Sequence, residues 1–206
     1  MSISEKRIYL ASRSPRRRDL LKQIGVPFEL LLLRADLRRG ADVDETPLPD
    51  ESPGVYALRI ANAKVKAAVH QIALRGLPQK PVLAADTAVV FDDQVVGKPD
   101  DTAHAARILR ALSGREHQVL TAVAVALREK IETQISVSSV WFRELTDAEI
   151  RRYCASGEPL DKAGAYAIQG RAGAFVMRIT GSYSGIMGLP LAETAELLKK
   201  FNIPVW

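Results

Sequence analysis

The run PVLAADTAVVF, residues 81–91, limits the fold more than any other stretch of this chain. It is almost continuously apolar and carries one ionisable side chain, Asp86, in its middle. The composition and turn-rich flanks predict a strand. A carboxylate inside an apolar strand must be satisfied by hydrogen-bonding partners, by a metal, or by a strand end that opens into a cleft. Two readings of Asp86 follow. One is a hydrogen-bonded residue that terminates the strand. The other is metal binding or general-base work, with Thr87 beside it as a hydroxyl donor. Asp92-Asp93 then turns the chain back into VVGKP, which predicts a hairpin.

The remaining elements alternate in type. Ile8 to Ser12 reads as a strand, and Pro15 to Ile24 as a helix capped by Ser14 and closed by Gly25. PFELLLLR, 27–34, reads as a buried strand, and 35–51 as a polar loop. Ser52-Pro53 opens a long helix that Gly76 ends, and Asp101 or Thr102 caps the short helix AHAARILRALSG. HQVLTAVAVAL and TQISVSSVWFREL read as an antiparallel pair. Thr146 and Glu149 form a capping box before a helix ending near Gly157. Turns dominate 158–189, with the strand AFVMRIT inside, and Pro190 starts the last helix, LAETAELLKKF. No internal repeat is visible. Hairpins mixed with strand–helix alternation predict an α/β fold with a mixed sheet, built as one domain or one domain with two lobes.

Charge narrows the partners. The 206 residues carry a net charge of +5, which favours anionic ligands without separating nucleic acid from a small phosphorylated molecule. No apolar stretch reaches the roughly 18–20 residues that span a bilayer, so no membrane partner is expected and a cytoplasmic location is the default. The single cysteine, Cys154, reads as a partly buried thiol, and His70, His104 and His117 show no metal-ligand spacing.

Several polar residues stand out beside Asp86. Lys98 in GKP lies past the hairpin, where it could share a cleft with Asp86, although GKP lacks the P-loop pattern. Asp44-Glu45 sits in the long polar loop, and a carboxylate from it together with Asp86 would suit Mg²⁺ that also holds phosphates. Lys64 and Lys66 read as ordinary surface lysines on the long helix. Gln169, in a glycine-rich segment, offers both donor and acceptor for reading the edge of a base. In LASRSPRRRDLL, residues 10–21, three arginines crowd the first helical turn, where the helix dipole disfavours each cation by about 0.3–1 kcal/mol. Successive helical residues point about 100° apart, so Arg16, Arg17 and Arg18 cannot all face one ligand.

LASRSPRRRDLL, VDE, the AxxKVKA pattern, AADTAVVF, VGKP, LSGREHQVLTAVAV, EPLDKAGAYAIQG and GSYSGIMGLPLAET occur in one order across nearly the whole chain. Together they resemble the Maf family of nucleoside triphosphate pyrophosphatases, and most of all its dTTP/UTP subfamily, through SPRR and DKAGAYxIQG. The resemblance implies a single Maf-like domain over 1–206, similar to the ITPase fold: a mixed twisted sheet with flanking helices and two lobes around a deep cleft, often as a homodimer. It implies hydrolysis between the α and β phosphates with a divalent metal, Mg, Mn or Co. It makes Asp86 the general base, Glu45 and Asp86 the metal ligands, and Ser12, Arg16, Arg17, Lys64, Thr87, Lys98 and Gln169 the substrate-binding set. Arg16, Thr87 and Gln169 match the positions associated with base selection, and the resemblance divides the arginine run, Arg16 and Arg17 toward the nucleotide and Arg18 toward solvent or Asp19. Ala63 stands where an acidic residue commonly precedes the lysine.

Three other readings compete. A nucleic-acid-binding module would use the arginine run, but aromatics are only 6% of the chain and no recognised motif appears. A regulatory nucleotide-binding protein of cell division would need no turnover. A pyrophosphatase of a neighbouring substrate, 7-methyl-GTP or a modified pyrimidine triphosphate, would share the chemistry and differ in the base.

Overall fold

Strands that the sequence marks by apolar runs join in one sheet, in the order β2-β1-β3-β5-β6-β7, with β4 paired to β3. The computed structural model describes residues 6–34 and 42–206. The strands are β1 (Ile8–Leu10), β2 (Phe28–Leu30), β3 (Val82–Phe91), β4 (Gln94–Val96), β5 (Glu116–Leu127), β6 (Lys130–Phe142) and β7 (Val176–Thr180). The helices are α1 (Pro15–Gln23), α2 (Pro53–Leu74), α3 (Thr102–Leu112), α4 (Asp147–Ala155), α5 (Tyr183–Ile186) and α6 (Leu191–Lys200). β1 runs parallel to β2 and β3, whereas β3, β5, β6 and β7 pair antiparallel, so the sheet is mixed as expected.

Local chemistry explains most boundaries. Ser14 caps α1 by accepting from the Arg17 amide, and Asp101 rather than Thr102 caps α3. Thr146 and Glu149 close the expected capping box at α4. Asp92 and Asp93 both adopt positive φ, the conformation a two-residue hairpin turn demands. Two readings need correction. PFELLLLR is not a long buried strand: pairing stops at Leu30, β2 is an edge strand, and Leu30 and Leu32 are exposed. AFVMRIT begins as a 3₁₀ turn over Arg171–Phe175, and pairing starts only at Val176. The short helix α5 lies in a segment expected to be dominated by turns and to hold one strand. Residues 35–41 of the polar loop lie outside the described residues.

Side-chain alternation along β3 and β5 sorts the core. Leu83, Ala85, Val123 and Val125 pack with α1 and α6 on one face of the sheet. Val82, Ala84, Ala122 and Ala124 pack with α2 on the other. Farther along the same strands, Val89 and Val119 join α3, α4 and the segment around Tyr166 in a third cluster. Asp86 and Thr87 fall between the clusters, at the middle of the sheet.

His117, 2% exposed, packs edge-on against Phe142 and Tyr166 of the third cluster; its Nε2 lies 2.8 Å from the Tyr166 hydroxyl while Nδ1 has no partner among the described residues. Burial pulls its pKa from 6.5 down to about 4. The folded state therefore favours neutral imidazole, and the unfolded chain binds more protons between those values. Its contribution is full above pH 6.5 and is lost as pH falls toward 4. Urea unfolding at pH 7 and pH 4 should show wild type losing on the order of 2–3 kcal/mol more than His117→Gln over that interval. Parallel pH profiles for the two proteins would contradict this.

Candidate active site

Asp86 continues the Val82 and Ala84 side of β3, so its carboxylate faces α2. Lys64, on α2 between the buried Ala61, Val65 and Ala68, meets it. Lys64 Nζ donates to Asp86 Oδ1 at 2.7 Å and lies 2.9 Å from Glu45 Oε1. The Asp86 and Lys64 side chains are 10% and 15% exposed, and Glu45 is 52% exposed. A buried carboxylate left alone would cost several kcal/mol, so this ion pair is what admits Asp86 to the strand. Lys64 is thus not an ordinary surface lysine, and the neighbouring Lys66, which is exposed, is.

The loop carrying Glu45 is fastened to the first turns of α2. The Tyr56 hydroxyl donates to the Glu45 carbonyl at 3.0 Å. Arg59 donates to the Thr46 carbonyl and grips both oxygens of Glu51 at 2.6 and 2.7 Å. Burial, reinforced by the charges of Asp86 and Glu45, pushes the Tyr56 phenol up to about 12, so it remains a donor at neutral pH. Sequence reasoning missed Tyr56, Arg59 and Glu51, because each is an unremarkable residue type for a helix start.

Thr87 belongs to the other face of β3. Arg17 reaches it from α1, with Nη2 donating to Thr87 Oγ1 at 3.2 Å, Nη1 to Ser12 Oγ at 3.3 Å and Nε to the Gly188 carbonyl at 2.7 Å. Burial draws the Arg17 guanidinium below its ordinary pKa, opposed by Asp86 and assisted by Arg16. The charges on the two faces therefore sense one another. Thr87 also contacts Thr121 of β5.

Six of the expected residues are thus brought together: Ser12, Arg17, Glu45, Lys64, Asp86 and Thr87. Arg16 is half-buried on α1, close enough to influence both Arg17 and Asp161, and its guanidinium has no hydrogen bond among the described residues. Lys98 and Gln169 are exposed, and neither touches this cluster among the described residues. A backbone bond from Gly164 to the Gly97 carbonyl does join the segment before Gln169 to the turn before Lys98. Arg18 turns back onto the Arg13 carbonyl at 3.3 Å instead of reaching Asp19, which faces Lys22.

The donor set suits a hard divalent cation. Two carboxylates, Asp86 and Glu45, already converge on one positive group. Among the described residues no group of three or more His, Cys, Asp or Glu side chains forms a closed metal cage. Mg²⁺-type ions bound along with a phosphorylated substrate need only one or two carboxylates.

A family model described as Maf-like protein matches residues 7–201. A Nitrosomonas europaea protein named dTTP/UTP pyrophosphatase is 56% identical over 199 residues, covering 97% of this chain and 96% of that protein. A Nitrosospira multiformis protein of the same name is 55% identical over the full length of both. A solved HAM1 protein from Coxiella burnetii matches with a TM-score of 0.50 and 16% identity, covering 95% of this chain and 99% of that one. At that identity the likeness concerns the fold alone.

The division of labour between adjacent arginines is measurable. Arg17→Lys keeps the charge but cannot satisfy three acceptors in a fork, so urea unfolding should show a loss of about 1–3 kcal/mol. Arg16→Lys should stay within about 0.5 kcal/mol of wild type. Equal losses for the two variants would contradict the assignment.

Proposed function

Because this chain belongs to the Maf family, we propose that it hydrolyses dTTP and UTP to the nucleoside monophosphate and pyrophosphate. The observation that carries the proposal is the Asp86–Lys64–Glu45 chain, set at mid-sheet beside Arg17. Near full-length relatives named for this activity support it.

The chemistry follows from charge and position. Arg16, Arg17 and Lys64 stand against Asp86 and Glu45, so the cluster is cationic by one charge and attracts a triphosphate. The N-terminus of α1 adds backbone donors for the same anion. Lys64 engages one oxygen of Asp86, and the carboxylate's other oxygen accepts the proton of the attacking water. The water oxygen bonds to the α-phosphorus, the α–β bridging P–O bond breaks, and pyrophosphate leaves with its charge balanced by the basic groups. Asp86 and Glu45 would hold the divalent cation, which when bound neutralises phosphate charge and polarises the phosphoryl oxygen. Lys64 then serves a second purpose, keeping both carboxylates aimed at one point.

Pyrophosphate release from a nucleotide panel with Mg²⁺, Mn²⁺ or Co²⁺ tests the proposal. dTTP and UTP should be preferred, and preference for 7-methyl-GTP would move the chain to the neighbouring substrate class. Asp86→Asn should lower turnover by about 100-fold or more while nucleotide binding by calorimetry persists. Full activity of that variant would remove Asp86 from the reaction. Glu45→Gln should raise the metal concentration needed for half-maximal rate, with a smaller effect at saturating metal; an unchanged metal titration would take Glu45 out of the donor set.

A further inference from the structure

Thr121 is the one hydroxyl in the apolar run VLTAVAVAL of β5, and it is 0% exposed. A buried hydroxyl persists only if its bonds are met. It lies directly opposite Thr87 in the β3–β5 ladder, with the two oxygens 3.0 Å apart, and it donates to the Gly185 carbonyl at 2.8 Å. We propose that Thr121 is a positioning residue that fixes the Arg17 guanidinium through a closed ring of hydrogen bonds.

The ring can be followed atom by atom. Arg17 Nε donates to the Gly188 carbonyl, and the Gly188 amide donates to the Gly185 carbonyl at 2.8 Å. That same Gly185 oxygen accepts from Thr121, Thr121 meets Thr87, and Thr87 accepts from Arg17 Nη2. The donors give the ring a direction. The Thr121 hydroxyl is the donor to both neighbours, its proton shared between the Gly185 carbonyl and the Thr87 oxygen. The Thr87 oxygen accepts from both Thr121 and Arg17, the orientation a guanidinium needs. Thr87 is an acceptor at this site and not the free hydroxyl donor its sequence position suggests. Gly188 completes the ring at φ +112°, a backbone conformation that other residues rarely adopt, with its carbonyl turned to Arg17. One buried threonine therefore holds both the side chain and the turn that grip Arg17.

The inference rests on the pyrophosphatase reading only for its kinetic arm. In the first arm, the ¹⁵Nε–H signal of Arg17 is assigned by its loss in Arg17→Lys. Its solvent exchange should accelerate about tenfold in Thr121→Val and stay near wild type in Thr121→Ser, which keeps the hydroxyl. In the second arm, kcat/KM for dTTP should fall about tenfold in Thr121→Val and recover to within about threefold in Thr121→Ser. An Arg17 signal equally protected in Thr121→Val overturns the proposal, as does a serine variant as impaired as the valine one. If Thr121→Val does not fold, Thr87→Val opens the same ring, and an unchanged Arg17 signal there is equally fatal. Should wild type release no pyrophosphate from any nucleotide, the functional reading fails while the exchange measurement still decides the role of Thr121.

Discussion

The ion pair between Asp86 and Lys64 is the contact on which the centre of this molecule depends. A carboxylate in the interior of an apolar strand is tolerable only when an opposite charge is delivered at hydrogen-bond distance. That requirement sets the rotation of α2, since Lys64 must point inward while Ala61, Val65 and Ala68 on the same helix meet the alanines of β3 and β5. Small side chains at those positions let the helix approach closely enough for the lysine to reach. The same helix start anchors the loop that brings Glu45 to the lysine's other side.

The site is built across a sheet instead of within a loop. Asp86 and Thr87 are neighbours in sequence, yet one is engaged by α2 and the other by α1 and the turn after α5. Ordinary strand alternation thus distributes a carboxylate–lysine system and an arginine clamp to opposite faces. Their charges remain coupled, because Asp86 raises the Arg17 pKa that burial lowers. Rigid elements hold both halves, which suits a reaction requiring an anionic substrate to be fixed relative to an attacking water.

Much of this was legible in the sequence, for a physical reason: a lone polar group in an apolar strand announces an obligation. Asp86 stood out on that ground, and the capping chemistry of Ser14 and Thr146 marked helix starts that the structure keeps. Thr121 carried the same kind of signal inside HQVLTAVAVAL and went unnoticed, since a hydroxyl is less costly to bury than a charge. The separation of Arg16 from Arg17 was not legible. It depends on a backbone carbonyl 171 residues away, and a carbonyl has no residue-type signature. The apolar run 27–34 misled because hydrophobicity does not distinguish an edge strand followed by an exposed extension from a buried one. Lys98 and Gln169 lie on exposed turns, where residue type alone does not say which groups they meet.

The placement of Asp86 and Thr87 on opposite faces also bears on how such a chain can change length over evolutionary time. Adding or deleting one residue between Val82 and Asp86 would leave a strand of nearly the same composition, yet it would swap the carboxylate and the hydroxyl between helices α2 and α1. A deletion would set Thr87 opposite Lys64, and an insertion would set Asp86 opposite Arg17, each in surroundings shaped for the other. The alternating apolar residues of β3 act as a ruler whose smallest division is one side chain, so length variation is shut out of this strand. It is left to segments that the ruler does not cross, such as the polar connection between β2 and α2.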